Sequence, residues 1–97
     1  MDKIKRHKEL CDQLHDIYKK KNEAYGDSFG KTFKELGIIS AVTRIYDKVN
    51  RISSLTRGAK NDIIDESLSD TLKDLSNYSI MTIIEMEAND GKDRNSV

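Results

Sequence analysis

An all-α fold follows from three features of this 97-residue chain. It contains no proline, its apolar residues recur at steps of three and four through three long stretches, and no stretch alternates at the period of two that a strand requires. The expected architecture is three long amphipathic helices plus a short one, forming a helical bundle completed by oligomerisation. Apolar residues make up 36% of the chain and charged residues 35%, the balance expected of helices with one packed face and one solvated face. The length holds one domain. Residues 1–88 are predicted to form it, with 89–97 as a disordered polar tail.

The first helix is predicted from Ile4 to about Tyr25. Ile4, His7, Cys11, Leu14, Tyr18, Lys21 and Tyr25 alternate steps of three and four, and Leu10 and Ile17 widen the stripe. Gly26 stops it, and Gly26 to Gly30 reads as a loop with two glycines free to take positive φ. A short helical piece with Phe33 and Leu36 follows, closed by Gly37. The next helix runs from about Ile38 to Thr56, because Ile38, Val42, Ile45, Val49 and Ile52 keep the same spacing. Residues 57–61 read as a connection, with Asp62 or Asp65 able to cap the last helix. That helix is expected over about Glu66 to Ala88, with Leu68, Leu72, Leu75, Ser79, Thr82 and Met86 as an inner seam. Ile80, Met81, Ile83 and Ile84 make its second half apolar nearly all round, so it must be enclosed, and a second copy of the chain is the simplest cover.

Composition narrows the function classes. There is no 18-residue apolar run, and the charged amino terminus lacks the apolar core of a signal peptide, so no membrane partner is expected and the cytoplasm is the expected location. The single cysteine, Cys11, makes neither an internal disulfide nor a zinc cluster and reads as a small core residue. His7 and His15 have no third ligand in a recognisable pattern. Net charge is zero, so direct DNA binding, which depends on net phosphate neutralisation, is not expected. The charges are nevertheless segregated: residues 1–60 hold 14 Lys and Arg against 8 Asp and Glu, and residues 61–97 hold 3 against 9. This fits either a basic helix packed beside an acidic one or a cleft in which cations meet phosphates and carboxylates meet a metal.

Several residues could carry chemistry. Lys21 falls on the apolar seam between Tyr18 and Tyr25, where an ammonium either finds an anion or snorkels to water. The two tyrosines offer ring faces for a base and hydroxyls for a phosphate. The Gly26–Lys31 segment lacks the spacing of a P-loop and follows no strand, although its amides and Ser28 could still touch a ligand at that end. Arg44, Lys48 and Arg51 rise on one face of the middle helix, as a phosphate-binding comb or a salt-bridged surface, with Asp47 relieving part of their repulsion. On the last helix Asp70, Asp74 and Asn77 form a stripe opposite the leucine seam, with Glu66 one turn earlier. Carboxylates four apart can share a hard cation such as Mg²⁺, or simply complement the helix dipole.

Three blocks occur in order: K-N-x-x-Y-G-D-S-F from Lys21 to Phe29, R-x-x-D-K-x-x-R from Arg44 to Arg51, and D-T-L-x-D-L-x-N-Y from Asp70 to Tyr78. Together they resemble the nucleotide modification associated domain 1 family over roughly residues 8 to 87. That family is common in bacteriophages and associated with nucleotide metabolism, so the resemblance implies a ligand class more than a reaction. It marks Lys21, Asn22, Tyr25, Gly26, Ser28, Arg44, Lys48 and Arg51 as ligand-binding candidates. The last block is also faintly similar to all-α nucleoside triphosphate pyrophosphatases of the MazG kind, in which carboxylates on two helices hold Mg²⁺. Those enzymes carry an E-x-x-E pair on the earlier helix. Here the corresponding place has only Asp47, among Arg44, Lys48 and Arg51.

The resulting expectation is a phage-encoded protein that captures a phosphorylated nucleotide in a cationic and aromatic pocket and sequesters a host nucleotide immune signal, with no cofactor needed. The alternative is a Mg²⁺-dependent pyrophosphatase with metal at Asp70, Asp74 and Glu66, whose catalytic residues the sequence does not assign. A third class is a helical adaptor whose charges serve packing and partner choice.

Overall fold

The computed structural model describes the backbone of residues 1–58 and 62–96, and the side chains of residues 1–57 and 67–89. Among these residues there are four α-helices and no strand: α1 (Lys3–Tyr25), α2 (Ser28–Leu36), α3 (Ile38–Gly58) and α4 (Asp62–Ser96). Each early boundary has a local cause. Asp2 caps α1 by accepting from the Lys5 amide at 3.1 Å. Gly26, at φ +70°, ends α1 with its N–H donating to the Asn22 carbonyl at 2.8 Å. Gly37, at φ +78°, ends α2 in the same way, donating to the Phe33 carbonyl at 2.7 Å. An L side chain at either glycine would carry the cost of the left-handed region.

The expected Gly26–Gly30 loop shrinks to two residues. Asp27 caps α2 through the Gly30 amide at 3.2 Å, so Ser28 and Phe29 are already helical and Gly30 is a buried helix residue. A Cβ at position 30 would overlap the capping carboxylate of Asp27. α3 runs two residues past its predicted end. α4 is longer at both ends, starting at Asp62 and continuing through Ser96, where the sequence has a glycine at position 91 but no proline to stop it. Residues 59–61 of the expected connection, and the side chains of Asp62 and Asp65 proposed to cap α4, lie outside the described residues.

α3 and α4 form an antiparallel hairpin. Arg44 meets Tyr78, Lys48 meets Asp74 and Arg51 meets Thr71, so rising numbers on one helix match falling numbers on the other. Small residues let the two backbones approach: Ala41 is wholly buried, and Thr71 and Thr82 are buried with their hydroxyls donating back to the Ser67 and Tyr78 carbonyls. Among the described residues Phe33 of α2 is the one large apolar side chain in the buried class. α1 lies antiparallel along α4, tied by the Asn77 amide, which donates to the Leu14 carbonyl at 3.1 Å.

Two predicted seams are corrected by this packing. α1 buries no residue: only α4 lies against it, so Leu14 and Tyr18 are half-buried while Ile4, His7 and Cys11 are exposed. Cys11 is therefore not a core residue. It lines an open apolar groove between α1 and α4 with Leu14, Ile80 and Ile84, its Sγ 3.8 Å from His7 Nδ1. On α4 the packed line is Thr71, Leu75, Tyr78 and Thr82, and the seam residues Leu72 and Met86 stand open.

Candidate functional site

Where α1 ends and α2 begins, the chain passes over the middle of the hairpin, and a cavity of about 210 Å³ opens between them. α1 contributes Tyr18, Lys21, Asn22 and Tyr25. The junction contributes Gly26, Asp27, Ser28 and Phe29, α3 contributes Arg44, and α4 contributes Asp74, Asn77, Tyr78 and Met81. The tight Gly26–Asp27 turn is what brings Phe29 back over α4: its ring stacks on Tyr78 with centroids 5.9 Å apart and planes at 29°. The pocket thus has an aromatic floor built from two helices distant in sequence.

Cations surround that floor. The Arg44 guanidinium lies 5.9 Å from the Tyr78 ring centre and donates from Nη1 to the Tyr78 hydroxyl at 3.4 Å. Lys48 Nζ is also 5.9 Å from the same ring centre. The two lysines converge on one carboxylate: Lys48 Nζ is 3.2 Å from Asp74 Oδ2, and Lys21 Nζ is 3.8 Å from Asp74 Oδ1. Lys21 therefore does find an anion, although at 63% exposure it remains largely in water. Half-buried Lys48 is the better-desolvated member of this three-residue cluster, at 26%. Pairs this exposed contribute little to stability, about 1 kcal/mol at most; their interest is the concentration of positive charge at the pocket.

Of the residues singled out by sequence, Lys21, Asn22, Tyr25, Gly26, Ser28 and Arg44 line this one cavity. Lys48 stands behind it through Asp74. Arg51 does not reach it: Nε donates to the Thr71 hydroxyl at 3.2 Å, one turn farther along the hairpin. The cationic comb of α3 is thus a hairpin seam, of which only the Arg44 end opens into the pocket. Two features escaped sequence reasoning. Tyr78, the residue on which Phe29, Arg44 and Lys48 all bear, closes the D-T-L-x-D-L-x-N-Y block, but nothing in the block gives it a role. Asp74 had read as a metal ligand, not as the shared counter-ion of two lysines.

The metal expectation rests on carboxylates four residues apart on α4, one or two of which can hold Mg²⁺ together with waters and substrate phosphates. Among the described residues no three His, Cys, Asp or Glu side chains converge on a metal-sized space. Asp74 is flanked by two ammonium groups, Asp70 is exposed, and the Glu66 side chain lies outside the described residues. No described helix is long and apolar enough to cross a membrane.

Comparison with curated proteins gives no match, and comparison with solved structures gives none. A protein-family model does match, over residues 21–86, beginning at the lysine that reaches Asp74 and spanning α2, α3 and all the α4 residues that line the cavity. On that match the chain belongs to the nucleotide modification associated domain 1 family.

Proposed function

We propose that this protein captures a phosphorylated nucleotide in the pocket between the α1–α2 junction and the α3–α4 hairpin. The observation that carries the reading is the stacked Phe29–Tyr78 pair with the Arg44 guanidinium beside it in the same cavity. Aromatic faces take a base whatever its sequence context, and guanidinium and ammonium groups take phosphate oxygens. Arg44 and Lys21 are the phosphate ligands in this reading. Phe29, Tyr78 and Tyr25 provide the ring faces, and Asn22, Ser28 and Asn77 provide neutral polar contacts.

Capture without turnover is favoured because both acidic groups that line the cavity are engaged, Asp27 by the Gly30 amide and Asp74 by two lysines. Carboxylates held in this way are poorly placed to activate water against a phosphate. The biological setting we propose is a phage protein working in the host cytoplasm, withdrawing a nucleotide signal made by the host, in an assembly whose every chain carries its own pocket.

The test is to incubate the purified protein with linear and cyclic nucleotides, with and without Mg²⁺, then filter, heat-denature and identify every species by mass. The expected result is a nucleotide that vanishes from the filtrate, returns intact on denaturation and is indifferent to chelator, with capture weakened about tenfold in Arg44→Ala. Metal-dependent release of a monophosphate and pyrophosphate would establish hydrolysis instead. No depletion by any nucleotide would leave the adaptor reading.

A further inference from the structure

The side of the α3–α4 hairpin turned away from the pocket is bare. Arg44, Lys48 and Arg51 point from α3 toward the pocket side and the hairpin seam. About 100° to 140° around that helix stand Ile38, Val42 and Val49. On α4, Leu72, Ile83 and Met86 stand at a similar angle from the pocket residues Asp74 and Tyr78. Because the two helices are antiparallel, equal rotations away from their seam bring both stripes to the same side. All six residues are between 40% and 55% exposed, and none lines either cavity. The half-buried Ile45, Ile52, Leu75 and Ser79 lie at angles between them, so among the described residues this face carries no charge.

We infer that this face is the interface with a second copy of the same chain. Area argues for it. The accessible surface is 7684 Å² for an 11.1 kDa chain, whereas a compact monomer of that mass exposes about 5,700 Å². That excess, part of it on the end of α4 that runs past α3, is of the order of surface that each subunit buries in an obligate homodimer. The radius of gyration, 15.9 Å, likewise exceeds the roughly 12.5 Å of a compact domain of this length. Among the described residues only Phe33 and Ala41 are buried apolar groups, far too little to hold four helices alone. A flat, uncharged strip of Ile, Val and Leu is complementary to itself across a two-fold axis. Two hairpins packed this way make a four-helix bundle with one pocket on each outer side.

This inference is independent of what the pocket binds. Its test is sedimentation of the full chain over a wide concentration range, combined with maleimide labelling of single cysteines placed in a Cys11→Ser background. Ile83→Cys reports on the bare face, and Lys19→Cys reports on an exposed position of α1. The expected result is a species of twice 11.1 kDa, with labelling at position 83 slowed severalfold as the dimer fills and labelling at position 19 unchanged. A folded monomer at all concentrations would overturn the inference. So would a dimer in which position 83 labels as fast as in dilute protein, because the contact would then lie elsewhere. If Ile83→Cys itself disturbs folding, Val49→Cys on the same face gives the same readout.

Discussion

The two sides of the α3–α4 hairpin are built on opposite principles. On the pocket side nearly every contact is polar and pairwise: Arg44 with Tyr78, Lys48 and Lys21 with Asp74, Arg51 with Thr71. On the other side stand Ile38, Val42, Val49, Leu72, Ile83 and Met86, all open to water. Directional contacts let the polar side define a shape within a single chain. The apolar side has area but no specific partner within the chain, and its contribution to stability waits on a second surface. One side therefore reads as a place for a ligand and the other as a place for a copy.

Four substitutions break or sharpen that contrast, in falling order of effect. Phe33→Ala undermines both sides, because the buried ring holds α2 against the hairpin; a loss of about 3–5 kcal/mol is expected in chemical denaturation. Ile83→Asp acts on the apolar side alone. A carboxylate desolvated in the interface should weaken the dimer by at least about 2 kcal/mol, roughly thirtyfold in dissociation constant, with nucleotide capture per folded chain retained. Arg44→Ala acts on the polar side alone. Nucleotide affinity should fall about tenfold while the sedimentation profile stays that of the wild type. Asp27→Ala removes the cap of α2, which carries Phe29, and should lower the denaturation midpoint by about 1 kcal/mol equivalent, with a smaller effect on capture.

Legibility in the sequence followed the same division. Helix existence came from periodicity, and Gly26 and Gly37 stopped helices where spacing said they should. The three motif blocks lie on α1–α2, α3 and α4 and contribute most of the residues around one cavity. What periodicity could not say was which stripe meets which. The Leu72 and Met86 seam looks like core in a helical wheel, because a wheel does not distinguish the face toward a neighbour in the same chain from a face toward another copy. Cys11 misled for the same reason, sitting on a valid stripe that opens into the groove between α1 and α4 and is not packed into a core. Tyr78 and the double pairing of Asp74 depend on contacts 26 to 53 residues apart in sequence, which no local pattern encodes.

The pairing of Asp74 with Lys21 and Lys48 has one more consequence. In the capture we propose, a phosphate drawn to Lys21 meets this carboxylate, so entry of the ligand is an exchange of one anion for another and not a simple addition. A nucleoside without phosphate brings nothing to trade, and a monovalent buffer anion trades charge for equal charge at the loss of a tethered neighbour. Only an anion of higher charge density, held also by its base on the rings of Phe29 and Tyr78, gains from the substitution. In the capture we propose, the resident carboxylate thus favours guests of higher charge, by the modest margin that ion pairs this exposed can set.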